Sequence, residues 1–272
     1  WDHARQWARE RGKREMLGPY CFAPNDDPGF LIDGFDNPPS IMMGHNPPYY
    51  PVFADRYGFE KYLDCLAYRR DLSGLTPDLS QLPDLLRIIE RTRRQFGSNV
   101  IRSIRMDDLD AELERIRHVY NRSLAGLHGF VPLTVAETRE IGETLKPLAD
   151  PDLVLLAEMD GQVFGFALGL PNVQEALIHA NGLRRPWDYL RFMRARKRIT
   201  SASYKVLALA PEYWGRGIDA LLYYEMGRRL VARGYTWVDA SLTGEDNPQT
   251  HKLVARFGGE VYRVYRIYRI DV

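Results

Sequence analysis

Sliding the chain along itself by 200 positions lays one helix, glycine and strand over a second helix, glycine and strand. The offset pairs Pro48 with Pro248, Arg56 with Arg256, Gly58 with Gly258 and Glu60 with Glu260. It continues without a gap through Tyr62 and Tyr262, Tyr68 and Tyr268, Arg69 and Arg269, and Asp71 and Asp271. Upstream, Arg11-Gly12 matches Arg233-Gly234 at an offset of 222, which implies a 22-residue insertion in the first copy, absorbed by the loop 23–51. The matches suit one supersecondary unit occurring twice, although two unrelated helix–glycine–strand units would also align in part. The first copy lacks its front half, and a half sheet leaves an unpaired edge that proteins avoid. The absent strands come either from sequence outside this chain or from packing on the second copy. Trp1 opens on a helical pattern already under way, so a preceding piece is expected.

Local patterns fill in the rest. Residues 1–12 read as the end of an amphipathic helix stopped by Gly12, followed by a strand over Lys13–Phe22. The Pro-, Gly- and Asn-rich stretch 23–51 is mostly loop, with an apolar segment at Ser40-Ile41-Met42-Met43. A helix over 49–57, a Gly58 stop and a strand to about Arg69 complete the first unit, 1–72. A linker with a connecting helix, Leu85–Gln95, spans 73–97. The second unit, 98–272, reads as strand 100–106, helix to Leu124 capped by Asp107 or Asp108, helix 135–145, and a hairpin of 153–159 with 163–170 around Asp160-Gly161. A helical insertion (173–197), strand 203–210, helix 218–232, strand 235–242, helix 248–256 and strand 260–270 follow. That order predicts an α/β fold, a mixed central sheet flanked by helices, preceded by a partial repeat.

Composition narrows the class of partner. A net charge of +1 over 272 residues gives no global field toward nucleic acid. Cys21 and Cys65, without CxxC spacing, make neither a disulfide framework nor a zinc site, so a reduced, cytoplasmic setting is expected. There is no Walker A turn, no Glu-rich helix after a glycine and no His/Asp metal cluster, and no metal is expected.

The segment that carries chemistry is Val206-Leu207-Ala208-Leu209-Ala210 running into Pro211-Glu212-Tyr213-Trp214-Gly215-Arg216-Gly217-Ile218-Asp219-Ala220. Glycines at a helix start let backbone N–H groups approach a phosphate, and the helix dipole favours an anion there. A plain strand–helix connection would look similar. The segment resembles motif A of the GNAT superfamily, and Glu245-Asp246-Asn247, a helix, Gly258-Gly259 and a Tyr-rich strand resemble motif B. The resemblance covers about 99–271, with a degenerate half copy at 1–72. It implies an N-acyltransferase with acyl-CoA or acetyl-CoA as cosubstrate and no permanently bound cofactor. It also implies main-chain groups of Leu209 and Ala210 near the thioester, the turn from Trp214 through Gly215, Arg216, Gly217, Ile218 and Asp219 to Ala220 on the pyrophosphate, and Asn247 near the pantetheine.

Three positions depart from that pattern. Trp214 replaces the usual Arg or Gln. Asp219 replaces a small residue, and a carboxylate there repels a pyrophosphate by roughly 1 kcal/mol at 4 Å in water. Asp219 is therefore expected to serve as a first-turn acid of the helix, turned away from the ligand. Val254 occupies the place where many relatives carry a tyrosine general acid. Candidate proton-transfer groups are Glu245, His251 and Tyr204. Their plain alternatives are a helix-start acid, a solvated helix residue and a sheet-face aromatic.

Residues 184–198 hold seven Lys/Arg against Asp188. On a helix, Tyr189, Leu190, Phe192 and Met193 gather on one side, with Arg191, Arg194 and Arg198 opposite. Such a helix suits an anionic membrane surface at the inner face, the lining of an acyl channel, or packing on the domain with a solvated basic face. With Gly34-Phe35-Asp36, Pro38-Pro39-Ser40-Ile41-Met42-Met43 and Asn46-Pro47-Pro48-Tyr49-Tyr50, the chain resembles a bacterial branch of tandem GNAT proteins that includes the bacterial ceramide synthases. That resemblance implies a hydrophobic amine acceptor such as a sphingoid base. Acetyl transfer to a small amine or peptide, and a catalytically silent GNAT-like binding module that binds no acyl-CoA, remain as alternatives.

Overall fold

The computed structural model describes residues 1–20, 28–126 and 130–272. Cys21 and Phe22 lie outside the described residues. The chain runs α1 (Asp2–Glu10), β1 (Glu15–Gly18), β2 (Phe30–Asp33), α2 (Tyr49–Tyr57), β3 (Glu60–Asp71) and α3 (Pro83–Phe96). It continues β4 (Ile101–Ser103), α4 (Leu109–Leu124), α5 (Val135–Leu145), β5 (Val154–Met159), β6 (Gln162–Pro171), α6 (Gln174–Leu177) and α7 (Pro186–Arg196). It ends β7 (Ser201–Leu209), α8 (Ile218–Ala232), β8 (Trp237–Gly244), α9 (Pro248–Arg256) and β9 (Glu260–Asp271). Among the described residues all nine strands join one mixed sheet in the order β1-β9-β3-β8-β7-β6-β5-β4, with β2 also paired to β9.

Each unit gives its last strand to the other. β3 lies between β8 and β9, antiparallel to both, and β9 pairs with β1 and β2. The register obeys the 200-residue offset: Glu60–Arg269 is matched by Arg69–Glu260, Leu63–Ile267 by Ala67–Arg263, and the irregularities in the two strands fall at Tyr62 and Tyr262. Farther along, Tyr68–Ala240 corresponds to Tyr268–Gly18, an offset of 222, and Cys65–Gly244 to Tyr265–Leu31, an offset of 213. The 22-residue insertion is therefore split, part between β1 and β2 and part between β2 and α2.

Strand alternation sends side chains to opposite faces. Leu155 and Ala157 of β5 join a core with α3 and α8 (Leu85, Ile89, Leu221, Leu222, Leu230), whereas Val154 and Leu156 pack with Val119 of α4, Phe166 and Ala208. Asp160 and Gly161 both take positive φ, as the two-residue hairpin turn requires. Asp108 stands at the start of α4, yet its carboxylate makes no cap bond and instead pairs with Arg115 at 3.2 Å. In the loop before α2, Ile41 is buried against Leu170 and Val173, and Met43 joins Leu31, Ala67 and Tyr265.

Candidate active site

β7 and β8 run parallel and pair from Ser201–Trp237 to Tyr204–Ala240, and no farther, although both strands continue. At that point β7 bulges at Lys205 in its pairing with β6, a device that re-aims a strand near a site. Aromatic rings fill the interval on the α8 face. Tyr204 stacks on Tyr223 at 4.5 Å, and Tyr223 meets Phe257 at 5.1 Å. A cavity of about 50 Å³ remains, bounded by Tyr68, Tyr204, Tyr223, Met226, Val254 and Phe257 among others.

The turn into α8 is tightly held. Gly215 and Gly217 have φ of +70° and +85°, which glycine adopts without strain. A Cβ at Gly217 would run into the Thr92 hydroxyl, so α3 lies close against the start of α8. Trp214 donates its indole N–H to the Leu209 carbonyl at 2.8 Å, a bond that ties the turn to the end of β7. Leu209 N–H donates to Ser123 Oγ at 3.3 Å, Ala210 N–H to the Phe164 carbonyl at 2.8 Å, and the Ala210 carbonyl accepts from Tyr213 N–H at 2.9 Å. The main-chain groups expected near a thioester therefore have internal partners. Arg216 lies 5.9 Å over the Tyr213 ring, while Ile218 and Ala220 are buried in the core. Asp219 occupies the first turn of α8, as expected. With burial as the main cause, its charge helps push the phenols of Tyr204 and Tyr223 well above their ordinary range.

The three proton-transfer candidates fall in different settings. Glu245 accepts from Lys61 Nζ at 2.8 Å and from Asp64 N–H at 3.1 Å, and the Lys61 bond holds its carboxyl below the usual range, which makes it a weak base. Tyr204 is buried and its hydroxyl has no hydrogen-bond partner. His251 meets the Tyr68 hydroxyl through Nδ1 at 2.5 Å, with its Nε2 buried and unpartnered. Asn247 caps α9, accepting from Thr250 N–H at 3.2 Å, and Val254 is buried.

Two groups escaped sequence reasoning. Tyr68 belongs to the first unit, and nothing local announces that β3 enters the second unit's sheet. Asp239 is fully buried and accepts from Ser203 Oγ, from Ser40 Oγ at 3.1 Å and from Tyr262 OH at 2.9 Å, with Lys205 Nζ at 3.6 Å. A carboxylate between Val238 and Ala240 of a strand was the available signal.

The basic segment does not bury its apolar side chains. Trp187, Tyr189, Leu190 and Met193 are exposed, Leu190 by 61%. Asp188 is the buried member and accepts from Arg185 N–H at 3.0 Å at the start of α7. Arg191, Arg194 and Arg198 line an open groove of about 780 Å³ with His179, Ile178 and Glu175. Among the described residues no helix is long and apolar enough to cross a membrane.

No family model matches the chain. It is 30% identical over 272 residues to the bacterial ceramide synthase of Caulobacter vibrioides, covering 97% of this chain and 69% of that protein. The chain belongs to the bacterial ceramide synthase family of GNAT-type N-acyltransferases. A GCN5-related N-acetyltransferase from Sphaerobacter thermophilus shares the fold at a TM-score of 0.54, with 15% identity over 99% of this chain and 66% of that one. A tandem GNAT protein from the clavulanic acid biosynthesis pathway aligns over 100% of this chain and 68% of its own at a TM-score of 0.53 and 12% identity. The chain thus spans about two thirds of the length of these relatives.

Proposed function

We propose that this N-acyltransferase moves a fatty acyl group from acyl-CoA to the primary amine of a lipid-like acceptor such as a sphingoid base. The observation that carries the reading is the 30% identity, over nearly the whole chain, to a protein named bacterial ceramide synthase. The acceptor must be a free amine, whose lone pair attacks the thioester carbon. Holding the two reactants in line supplies much of the acceleration, because an oriented pair reacts with an effective molarity on the order of 10⁵ M or more. The turn Gly215–Ala220 receives the pyrophosphate, and the Trp214 indole yields the Leu209 carbonyl to the pantetheine amide. Asp219, beside the aromatic stack, is a charge that the donor must tolerate.

The exposed apolar side chains of α7, next to the arginine groove, support a peripheral contact with the inner face of an anionic membrane, where a lipid acceptor would reside. The repeat arose by duplication, with 1–72 as a partial unit, 73–97 as the connection and 98–272 as the catalytic unit.

A second reading has an observation of its own. The cavity at the parted strands, about 50 Å³, is far smaller than a fatty chain, which favours acetyl transfer to a small amine. Incubation of the protein with palmitoyl-CoA or acetyl-CoA and sphinganine, read by mass spectrometry, separates the two. N-palmitoyl product is the expected outcome. Preferential acetyl transfer selects the second reading, and binding of neither donor by calorimetry leaves a silent module.

A further inference from the structure

We infer that the first unit completes the reacting centre of the second: the Tyr68 phenol, hydrogen-bonded to His251, takes the proton from the attacking amine and returns it to the departing thiolate. The inference rests on the acyl-transfer reading above and assigns the proton relay within it.

The sheet places Tyr68 at the point where β7 and β8 part. Ala240 of β8 is the register partner of Tyr204 on one side and of Tyr68 on the other. The two tyrosines therefore flank the last pairing before the strands separate. Both line the same small cavity, together with Tyr223, Val254 and Phe257. On α9, Asn247, His251 and Val254 follow one another at spacings of four and three residues, which puts them on one helix face. Val254 has no proton to give. The hydroxyl beside it comes from β3 instead, and its phenol is 2.5 Å from His251 Nδ1.

The surroundings suit a neutral relay. His251 Nε2 is buried without a partner, so no carboxylate locks the ring in one tautomer. The charged and titratable groups of the packed elements are otherwise engaged. Glu245 is committed to Lys61, Arg70 of β3 donates to the Gly258 carbonyl at 3.2 Å, and Asp219 and Tyr223 belong to the stack on α8. Tyr204 is the other phenol at the junction, and its hydroxyl has no base within reach.

The step balances as follows. The amine nitrogen forms the C–N bond as the thioester π electrons move to oxygen. The ammonium proton passes to Tyr68 Oη while the phenol proton passes to His251 Nδ1. The oxygen electrons return to carbon and the C–S bond breaks. Sulfur takes the Tyr68 proton, and Tyr68 recovers one from His251. The products are an amide and free thiol, and the pair is unchanged.

Positioned proton transfer contributes on the order of 10²–10⁴ in rate. The test compares wild type with Tyr68→Phe, His251→Gln and the double variant in the full chain. Readouts are acyl-CoA affinity by calorimetry, kcat and KM for N-acyl product, and the melting temperature. The expected result is a fall in kcat of about 100-fold in each single variant, with acyl-CoA affinity nearly unchanged and the double variant no slower than either single one. Retention of most of the wild-type kcat by folded Tyr68→Phe overturns the relay and leaves the pair as a tie between β3 and α9. Wild type that binds acyl-CoA without turnover overturns the acyl-transfer reading, and the relay with it.

Discussion

Arg266 holds Asp64 through two parallel bonds, 2.7 and 2.9 Å long, and the pair related to it by the 200-residue offset is the apolar Leu66–Val264. The pseudo-symmetry of the strand exchange is thus broken at one of its inner rungs by a salt bridge. Lys61 adds a second contact to Asp64 at 3.0 Å and carries Glu245 on its other side.

Asp64→Asn should weaken the exchange. It leaves the half-buried Arg266 without its charge partner, while Lys61 keeps Glu245, and a loss of about 1–3 kcal/mol is typical for such a pair. Urea unfolding checks this, and a change under 0.5 kcal/mol would show that the pair is solvent-balanced.

Acid should act on the same rung. Burial alone would raise the Asp64 pKa, but Arg266 and Lys61 outweigh it and hold the carboxyl below its ordinary value; Glu245 is lowered by Lys61. A carboxylate whose folded pKa is depressed stabilises the fold above its unfolded pKa and loses that contribution as pH falls through the folded value. Stability should therefore be flat near neutrality and decline below about pH 4, more steeply in wild type than in Asp64→Asn. Equal acid slopes in denaturant titrations would contradict it.

Trp214→Phe removes the indole bond to the Leu209 carbonyl while keeping an aromatic ring. If acyl-CoA competes for that carbonyl, the variant should bind the donor more tightly, by about fivefold for one neutral hydrogen bond near 1 kcal/mol. Calorimetry with palmitoyl-CoA reads it directly, and weaker binding would assign the indole a holding role instead.

Gly217→Ala combines a left-handed backbone with a Cβ that meets Thr92. The backbone contribution alone costs about 1–2 kcal/mol, and the clash adds to it. Adding Thr92→Ala should recover the clash and leave the backbone cost, so the double variant should melt above the single one. A single variant as stable as wild type would show that α3 yields easily.

Burial pushes the Cys65 thiol up to about 12, with Asp246, Asp64 and Glu245 adding to the effect. The thiolate is the reactive form, so the Cys65 peptide should resist iodoacetamide at pH 8 and react once urea unfolds the chain. Labelling of native Cys65 within minutes would indicate opening of the exchanged strands.

Membrane contact has a direct check. Each arginine near an anionic surface contributes about 1 kcal/mol, so replacing Arg191, Arg194 and Arg198 by Gln should lower affinity for phosphatidylglycerol vesicles by on the order of 100-fold. Leu190→Glu should act in the same direction. Unchanged cosedimentation in both would remove α7 from the membrane contact.

Much of the local structure was legible in sequence because its causes are local. The spans 49–57 and 248–256, each closed by glycine, became α2 and α9 at those bounds, and Asp160-Gly161 specified its hairpin. What stayed hidden depends on pairing between distant segments. No pattern within 60–71 says that β3 will lie between β8 and β9, so the contact of Tyr68 with His251 could not be read. Trp214 stood in the sequence only as a departure from the usual Arg or Gln, and its bond to a carbonyl five residues earlier needed the fold to be seen. For Asn247 the motif implied a ligand contact, and the cap that its side chain makes on α9 was a second role the motif did not announce.

The exchange of β3 has a consequence for synthesis. During translation β3 emerges more than one hundred and fifty residues before Trp237, the first residue of the earlier of its two neighbours. At about 5–20 residues per second, a twelve-residue strand with both edges unpaired waits on the order of ten to thirty seconds for a partner. An unpaired strand of that length is exposed to pairing with other chains, and slowing the ribosome between the codons for Leu72 and Trp237 should cost yield more than slowing it after Asp271 has been added.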